Sequence, residues 1–346
     1  METPSDDYDV IIIGAGPAGL SCAARLSGSN LKVLILEQKD TIGPKVCAGG
    51  LTRKGLIQFE IPEKILDCSF KKISLHTPLF GIEKEDAAVM IATIDRKMLA
   101  DWQLDKLKNA KNVTIMTGCK VTEISKDSVS VNGSSHFRYK HLVGADGSFS
   151  SVRRYLGIKT EQIAIAIQYI IPTEKYEKLE IFFDSRLFAA WYAWIFPHKG
   201  YVSIGCMCDT RHLSAKKLQA NFHKWLQEKD IDVSDGTYQG YAINYDYRGY
   251  RFDNIFLAGD AAGFASGPTG EGIYPALVSG TAVAKTIMNA NYEAKEIAEL
   301  LQTKKIQNKA MDVIIKMGPL QNAFFILLVQ ALRNRRVASR IVRSVL

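Results

Sequence analysis

The sequence predicts an α/β fold: a Rossmann-type dinucleotide-binding unit built from discontinuous segments, an inserted β-rich unit, and helices at the end. Three observations carry this prediction. A strand–glycine–helix–strand pattern occupies residues 8–37. Two further apolar strands, at 141–145 and 255–258, each run straight into an aspartate beside glycines. Between them, residues 160–207 change to a β-branched and aromatic texture.

Taken in order, residues 8–13 read as a buried strand, 20–26 as an Ala/Leu-rich helix and 32–37 (KVLILE) as a second strand. Together they form a βαβ unit of about 30 residues. Residues 94–110 carry helical periodicity through Met98, Trp102 and Leu107. Short strands are expected at 112–116, 120–124 and 128–131. Residues 191–196 and 201–207 are strands joined by Pro197-His198-Lys199-Gly200, a hairpin signal. His198 falls in that turn and is expected to be exposed. Helices are expected at 213–228, at 274–289 and through most of 293–343. The domain division follows. Segments 1–55, 92–158 and 240–290 form the nucleotide unit, 56–91 and 159–239 the substrate unit, and 291–346 a helical segment with a basic tail.

Composition narrows the class. The chain has 346 residues, 47% of them hydrophobic and 23% charged, enough for a large core without disulfide staples. No apolar run, 323–329 included, approaches the ~20 residues a spanning helix needs. The first seven residues are acidic rather than basic, so no signal peptide is read, and a cytoplasmic chain with reduced cysteines is expected. Cys206-x-Cys208 lacks zinc or redox spacing, and no metal is expected. The net charge of +8 is local. Residues 303–346 hold nine Lys/Arg and one acid, leaving 35 of each sign in the rest.

The chemistry starts at Gly14-Ala15-Gly16-Pro17-Ala18-Gly19. The first glycine permits the turn, the second lets a pyrophosphate approach the backbone, and the third lets helix pack on strand. Glu37 lies eighteen residues beyond Gly19, where an acid accepts from an unphosphorylated adenosine ribose, as in FAD or NAD. Asp146-Gly147 and Gly259-Asp260 follow their strands. Each alone reads equally as a turn with an aspartate capping a helix. Asp260 opens a glycine-rich stretch suited to a ribityl hydroxyl, and the backbone NH groups of 270–273 suit a flavin ring edge.

At this point the chain resembles the geranylgeranyl reductase family, FAD enzymes with a p-hydroxybenzoate hydroxylase type of fold. Cys47-Ala48-Gly49-Gly50 looks like that family's C-x-G-G segment. Tyr192-Ala193-Trp194-Ile195-Phe196-Pro197 matches its Y-x-W-x-F-P, and 270–280 is similar to its G-x-G-I-x-x-A-x-x-S-G. Ala189 stands where a proline is common, Met207 replaces a glycine, and the chain is short for the family. By resemblance, FAD contacts fall on Gly14, Gly16, Gly19, Glu37, Cys47, Ala48, Gly50, Arg96, Asp260, Gly272 and Ile273. Cys47, Tyr192 and Trp194 face the substrate. The implied activity is reduction of C=C bonds in a prenyl lipid by hydride from the reduced flavin N5. The external electron donor would be NAD(P)H or a reduced protein carrier, since no second nucleotide fingerprint follows a strand.

Other readings differ in testable ways. An aromatic monooxygenase of the same fold would consume oxygen. A flavin-bearing lipid-binding or regulatory protein would not turn over. Phe182, Phe183, Phe188, Trp191, Tyr192, Trp194 and Phe196 suit an apolar substrate tunnel, or simply a sheet packed on its core. The apolar stretch 320–332 with Arg333, Arg335, Arg336, Arg340 and Arg343 suits docking on an anionic membrane surface. No nucleic-acid motif accompanies the charge.

Overall fold

The computed structural model describes residues 7–334. Five parallel strands form the heart of the first sheet: Ile255–Leu257, Ser135–Gly144, Asp7–Ile13, Val33–Leu36 and Val113–Met116, in that spatial order. Residues 10–13 of Asp7–Ile13 and all of Val33–Leu36 are apolar and buried, as strands covered on both faces must be. Ser135–Gly144 is longer than its apolar end suggested. Its first half pairs antiparallel with Ser128–Val131, and only its second half enters the parallel core.

Two helices pack over this sheet and on each other, Pro17–Leu26 and Ile273–Met288. They approach unusually closely. A Cβ on Gly280 would sit 2.1 Å from the Ala18 carbonyl oxygen, so the backbone contact requires glycine there.

The second sheet has seven strands. Its spatial order is Thr237–Asn244, Ile163–Ile171, Val202–Asp209, Ala193–Pro197, Leu179–Phe182, Lys72–His76 and Gly81–Glu85. All pairs are antiparallel except Leu179–Phe182 with Lys72–His76. The expected 191–207 hairpin forms its centre. Gly50–Thr52, Ile91–Thr93 and Cys68–Phe70 make a small third sheet.

The final helical stretch is not continuous. Lys295–Lys316 ends where Gly318 takes φ +50° and Pro319 follows, and Gln321–Ala331 leaves at 108°. Lys304 Nζ donates to the Ala265 carbonyl (2.6 Å) and Ser266 Oγ donates to Gln307 Oε1 (2.8 Å), tying the first of these helices to the loop before Gly270. Burial pushes the Lys304 pKa down to about 8. The second helix stacks Phe325 on Phe183, centroids 5.0 Å apart. Among the described residues, no single helix is long and apolar enough to cross a membrane.

Ala189 accounts for one departure from the family pattern. Its φ is +50°, a value that a proline ring forbids.

Candidate active site

One cavity of about 1050 Å³ runs between the two large sheets. Its polar end is built from the turns at the carboxyl ends of the parallel strands, where an open α/β sheet offers a crevice. Gly14 has φ +100°, and a Cβ there would meet the Ala145 carbonyl oxygen at 2.4 Å. A Cβ on Gly16 would meet nothing, because the wall is bare cavity. Gly19 alone of the eleven anticipated FAD contacts does not line the cavity. It closes the turn instead: its Cβ would fall 2.0 Å from the Gly14 carbonyl oxygen.

The helix Pro17–Leu26 begins at Gly16 with no side-chain cap, so its first NH groups face the cavity as an anion site. Glu37 sits at the end of its strand. One carboxylate oxygen accepts the Ala15 NH (2.9 Å) and the other the Lys39 NH (3.0 Å). Arg96 opens the helix Arg96–Asp105, and its Nε is buried with no hydrogen-bond partner among the described residues. An unpartnered guanidinium nitrogen beside an uncapped helix start fits a bound pyrophosphate. Asp260 pairs with Lys45 at 3.0 Å. Burial opposes the Lys45 charge, but Asp260 outweighs it and holds the lysine pKa above its ordinary value. Asp146 takes the structural role: it accepts from Ser151 N and Oγ, both at 2.7 Å, at the head of Ser151–Tyr155.

The loop carrying Cys47 crosses the middle of the cavity. Cys47 Sγ accepts the Gly49 NH at 3.3 Å. Its carbonyl accepts from Gln168 Nε2 (3.4 Å), and Gln168 Oε1 accepts from Ser203 Oγ, which accepts from Trp194 Nε1 (3.0 Å). Trp194 and Cys47 are thus joined through a buried polar chain.

His198 is the main correction to the sequence reading. It is 6% exposed, not a solvated turn residue. Its Nε2 lies 3.0 Å from the Ala48 carbonyl oxygen, its Nδ1 2.7 Å from Asp67 Oδ2, and its ring stacks on Tyr201. A Cβ on Gly49 would touch the ring at 2.5 Å. The turn folds back on the Cys47 loop and locks it. Replacing His198 with leucine will leave the Ala48 carbonyl and Asp67 unpaired. The expected loss is about 1–3 kcal/mol for each buried group stranded, read as a fall in the chemical-denaturation midpoint.

The aromatic residues divide. Phe183, Tyr192, Trp194 and Phe196 line the cavity, whereas Phe182, Phe188 and Trp191 pack into the core behind it. Tyr192 Oη donates to the Thr269 carbonyl (2.5 Å), and burial, with Glu271 nearby, pushes its pKa up. Met207 fills the space beside Gly270, where a Cβ would meet its Sδ at 2.8 Å.

The apolar end was not legible beforehand. Its floor is Ile73, Leu75 and Ile181, and its roof is Met311, Ile314, Phe325, Leu328 and Leu332. Much of the apolar 320–332 stretch therefore faces this cavity, while Leu320 and Leu327 face outward. Arg335, Arg336, Arg340 and Arg343 lie outside the described residues.

The chain matches the family described as glucose inhibited division protein A over residues 9–190. It is 32% identical over 294 residues to an uncharacterized protein of Methanosarcina barkeri, covering 82% of this chain and 75% of that protein. It is 28% identical over 321 residues to digeranylgeranylglycerophospholipid reductase 1 of Methanosphaera stadtmanae, covering 84% and 78%. The matched family model spans more than half of the chain, and the chain belongs to that family. It is an FAD-dependent oxidoreductase. The fold is shared with a geranylgeranyl bacteriochlorophyll reductase-like protein from Thermoplasma acidophilum. The TM-score is 0.78 at 20% identity, over 94% of this chain and 91% of that one.

Proposed function

We propose that this chain saturates C=C double bonds in a geranylgeranyl-type prenyl lipid. The observation that carries the reading is one continuous cavity, which joins a dinucleotide-type polar end to a long apolar end. Bound FAD, once reduced, supplies the hydride that no side chain can provide.

We assign the remaining work to the chain's own residues. Arg96 and the start of Pro17–Leu26 hold the pyrophosphate, and Glu37 the adenosine ribose. Asp260 takes the ribityl chain, with Lys45 fixing its carboxylate. Cys47, Ala48, Gly50, Gly272 and Ile273 bracket the ring. Tyr192, Trp194 and Phe196 align the alkene and exclude water from it. In this reading segments 1–55, 92–158 and 240–290 hold FAD, and 56–91 with 159–239 shape the substrate arm. Reducing equivalents come from NAD(P)H or a reduced protein carrier.

The test is anaerobic. Reduced protein is mixed with a geranylgeranyl lipid, and flavin absorbance and lipid mass are followed. Flavin reoxidation with a gain of hydrogens supports the reading. No reoxidation and no mass gain overturns it. Substrate-stimulated oxygen uptake with NAD(P)H would point to hydroxylation instead.

We also infer that the enzyme works at an anionic membrane surface. Ile306 both lines the cavity and is 50% exposed, and Val313, Leu320 and Leu327 are exposed on the same helical pair. Lys305, Lys309, Lys316 and Arg333 accompany them. A basic residue near such a surface contributes about 1 kcal/mol, screened by salt. Vesicles containing an anionic lipid are expected to sediment the full chain at low salt. A variant with Arg333, Arg335, Arg336, Arg340 and Arg343 changed to Gln should bind more weakly. Equal binding of both proteins would defeat the inference.

A further inference from the structure

Reduction of an alkene needs a proton as well as a hydride, and the family motifs name no source for it. Four carboxylates line the cavity: Glu37, Asp146, Asp260 and Glu271. Three are engaged in holding the nucleotide end together: Glu37 accepts two backbone NH groups, Asp146 caps a helix, and Asp260 pairs with Lys45.

Glu271 is different. It lies between Gly270 and Gly272, ahead of the helix Ile273–Met288. Its Oε1 accepts a hydrogen bond from Thr52 Oγ1 at 2.9 Å, and it makes no salt bridge among the described residues. Thr52 belongs to the strand directly after the Cys47 loop. The carboxyl therefore bridges the two loops that bracket the ring, beside the first aromatic of the Tyr192–Trp194–Phe196 stripe. The charged and titratable groups that act on it are Lys54, Tyr192 and Tyr274. Burial raises its pKa and outweighs Thr52 and Lys54, which both act to lower it.

The other donors at this wall are poorer. Tyr192 already donates to the Thr269 carbonyl and is pushed further from ionisation. The Lys45 ammonium is committed to Asp260.

We propose that Glu271 is the general acid that delivers the proton to the alkene. The proposal deepens the reductase reading and rests on it. The balance is simple. The π bond of a trisubstituted alkene breaks. The Glu271 O–H bond breaks, and its proton forms a C–H bond at the less substituted carbon. The more substituted carbon, where positive charge is best carried, would take the hydride that bound reduced FAD would supply in a two-electron oxidation. Glu271 is left as a carboxylate and regains a proton from water. Because its pKa is raised, the donor form persists above the ordinary glutamate range, and turnover falls as pH rises through the raised pKa.

The experiment uses the FAD-loaded full chain and Glu271→Gln, both reduced anaerobically with dithionite and mixed with a geranylgeranyl lipid. FAD binding and dithionite reduction should survive the substitution, while flavin reoxidation by lipid slows by about 10²–10⁴-fold. Infrared difference spectra supply a readout independent of turnover. Wild-type protein should show the C=O stretch of a protonated carboxyl above about pH 5, beyond the ordinary glutamate range. The band should be missing in Glu271→Gln. In Thr52→Val, which loses the hydrogen bond to the ionised form, its midpoint should move up. Equal reoxidation in wild type and Glu271→Gln, or no Glu271-dependent band above pH 5, overturns the assignment. Failure of the wild-type flavin to reoxidise is a different result: it removes the reductase reading, and the proton role with it.

Discussion

Glu37→Arg will purify without its yellow colour. The wild-type chain should carry non-covalent FAD, visible as flavin absorbance at a fixed ratio to protein. Glu37 ends the strand Val33–Leu36 and grips the fingerprint turn through the Ala15 NH. It also offers the acceptor that an adenosine ribose requires. Arginine removes that acceptor, strands the Ala15 donor and places a longer cation where the ribose would lie. The lost interactions are worth about 1.5–3 kcal/mol each when a charged acceptor is involved. FAD occupancy should therefore fall at least about tenfold, while the protein remains folded by circular dichroism. Full occupancy in the variant would remove Glu37 from the cofactor site.

Ile181→Trp should separate the two ends of the cavity. Ile181 lies on Leu179–Phe182, lines the apolar arm and pairs with Leu75 and Trp194 in neighbouring strands. Tryptophan is tolerated in a strand, but its bulk fills the arm the prenyl chain needs. A steric cost on the bound prenyl chain of the size of core overpacking, about 1–3 kcal/mol, should lower kcat/KM for a geranylgeranyl lipid about ten- to a hundredfold. FAD content and the dithionite-reduced spectrum should not change. Unaltered kcat/KM would mean that the lipid lies elsewhere.

Local signals carried the nucleotide half of the molecule. The fingerprint, Glu37, the strand before Asp260 and the 191–207 hairpin each declare themselves within a few residues, and each folds near its expected limits. What stayed hidden depends on distant partners. His198 is buried because Asp67 and Ala48, 131 and 150 residues away, close over its ring. The strand Gly81–Glu85 reads GIEKE, a charged edge with no apolar run to announce it. Gly318-Pro319 is a stop signal of ordinary strength, masked by the apolar periodicity that resumes at once on the far side. The division of the aromatics, with Trp191 in the core and Tyr192 in the cavity, follows from alternation only once the neighbouring sheet face is known.

The roof of the apolar arm has a consequence for biosynthesis. Much of the apolar wall exists once Val202–Asp209 has been made, yet Met311, Phe325 and Leu328 are more than 100 residues further along. At about 5–20 residues per second, the nascent chain waits on the order of ten seconds before its roof can close. During that interval a greasy trough lined by Ile73, Leu75, Ile181 and Trp194 faces the cell's water. The parallel sheet is likewise unfinished until Ile255–Leu257 slots in beside Ser135–Gly144. Such a nascent chain is a natural client for chaperones that shield apolar surface, and its yield on overexpression should depend on them.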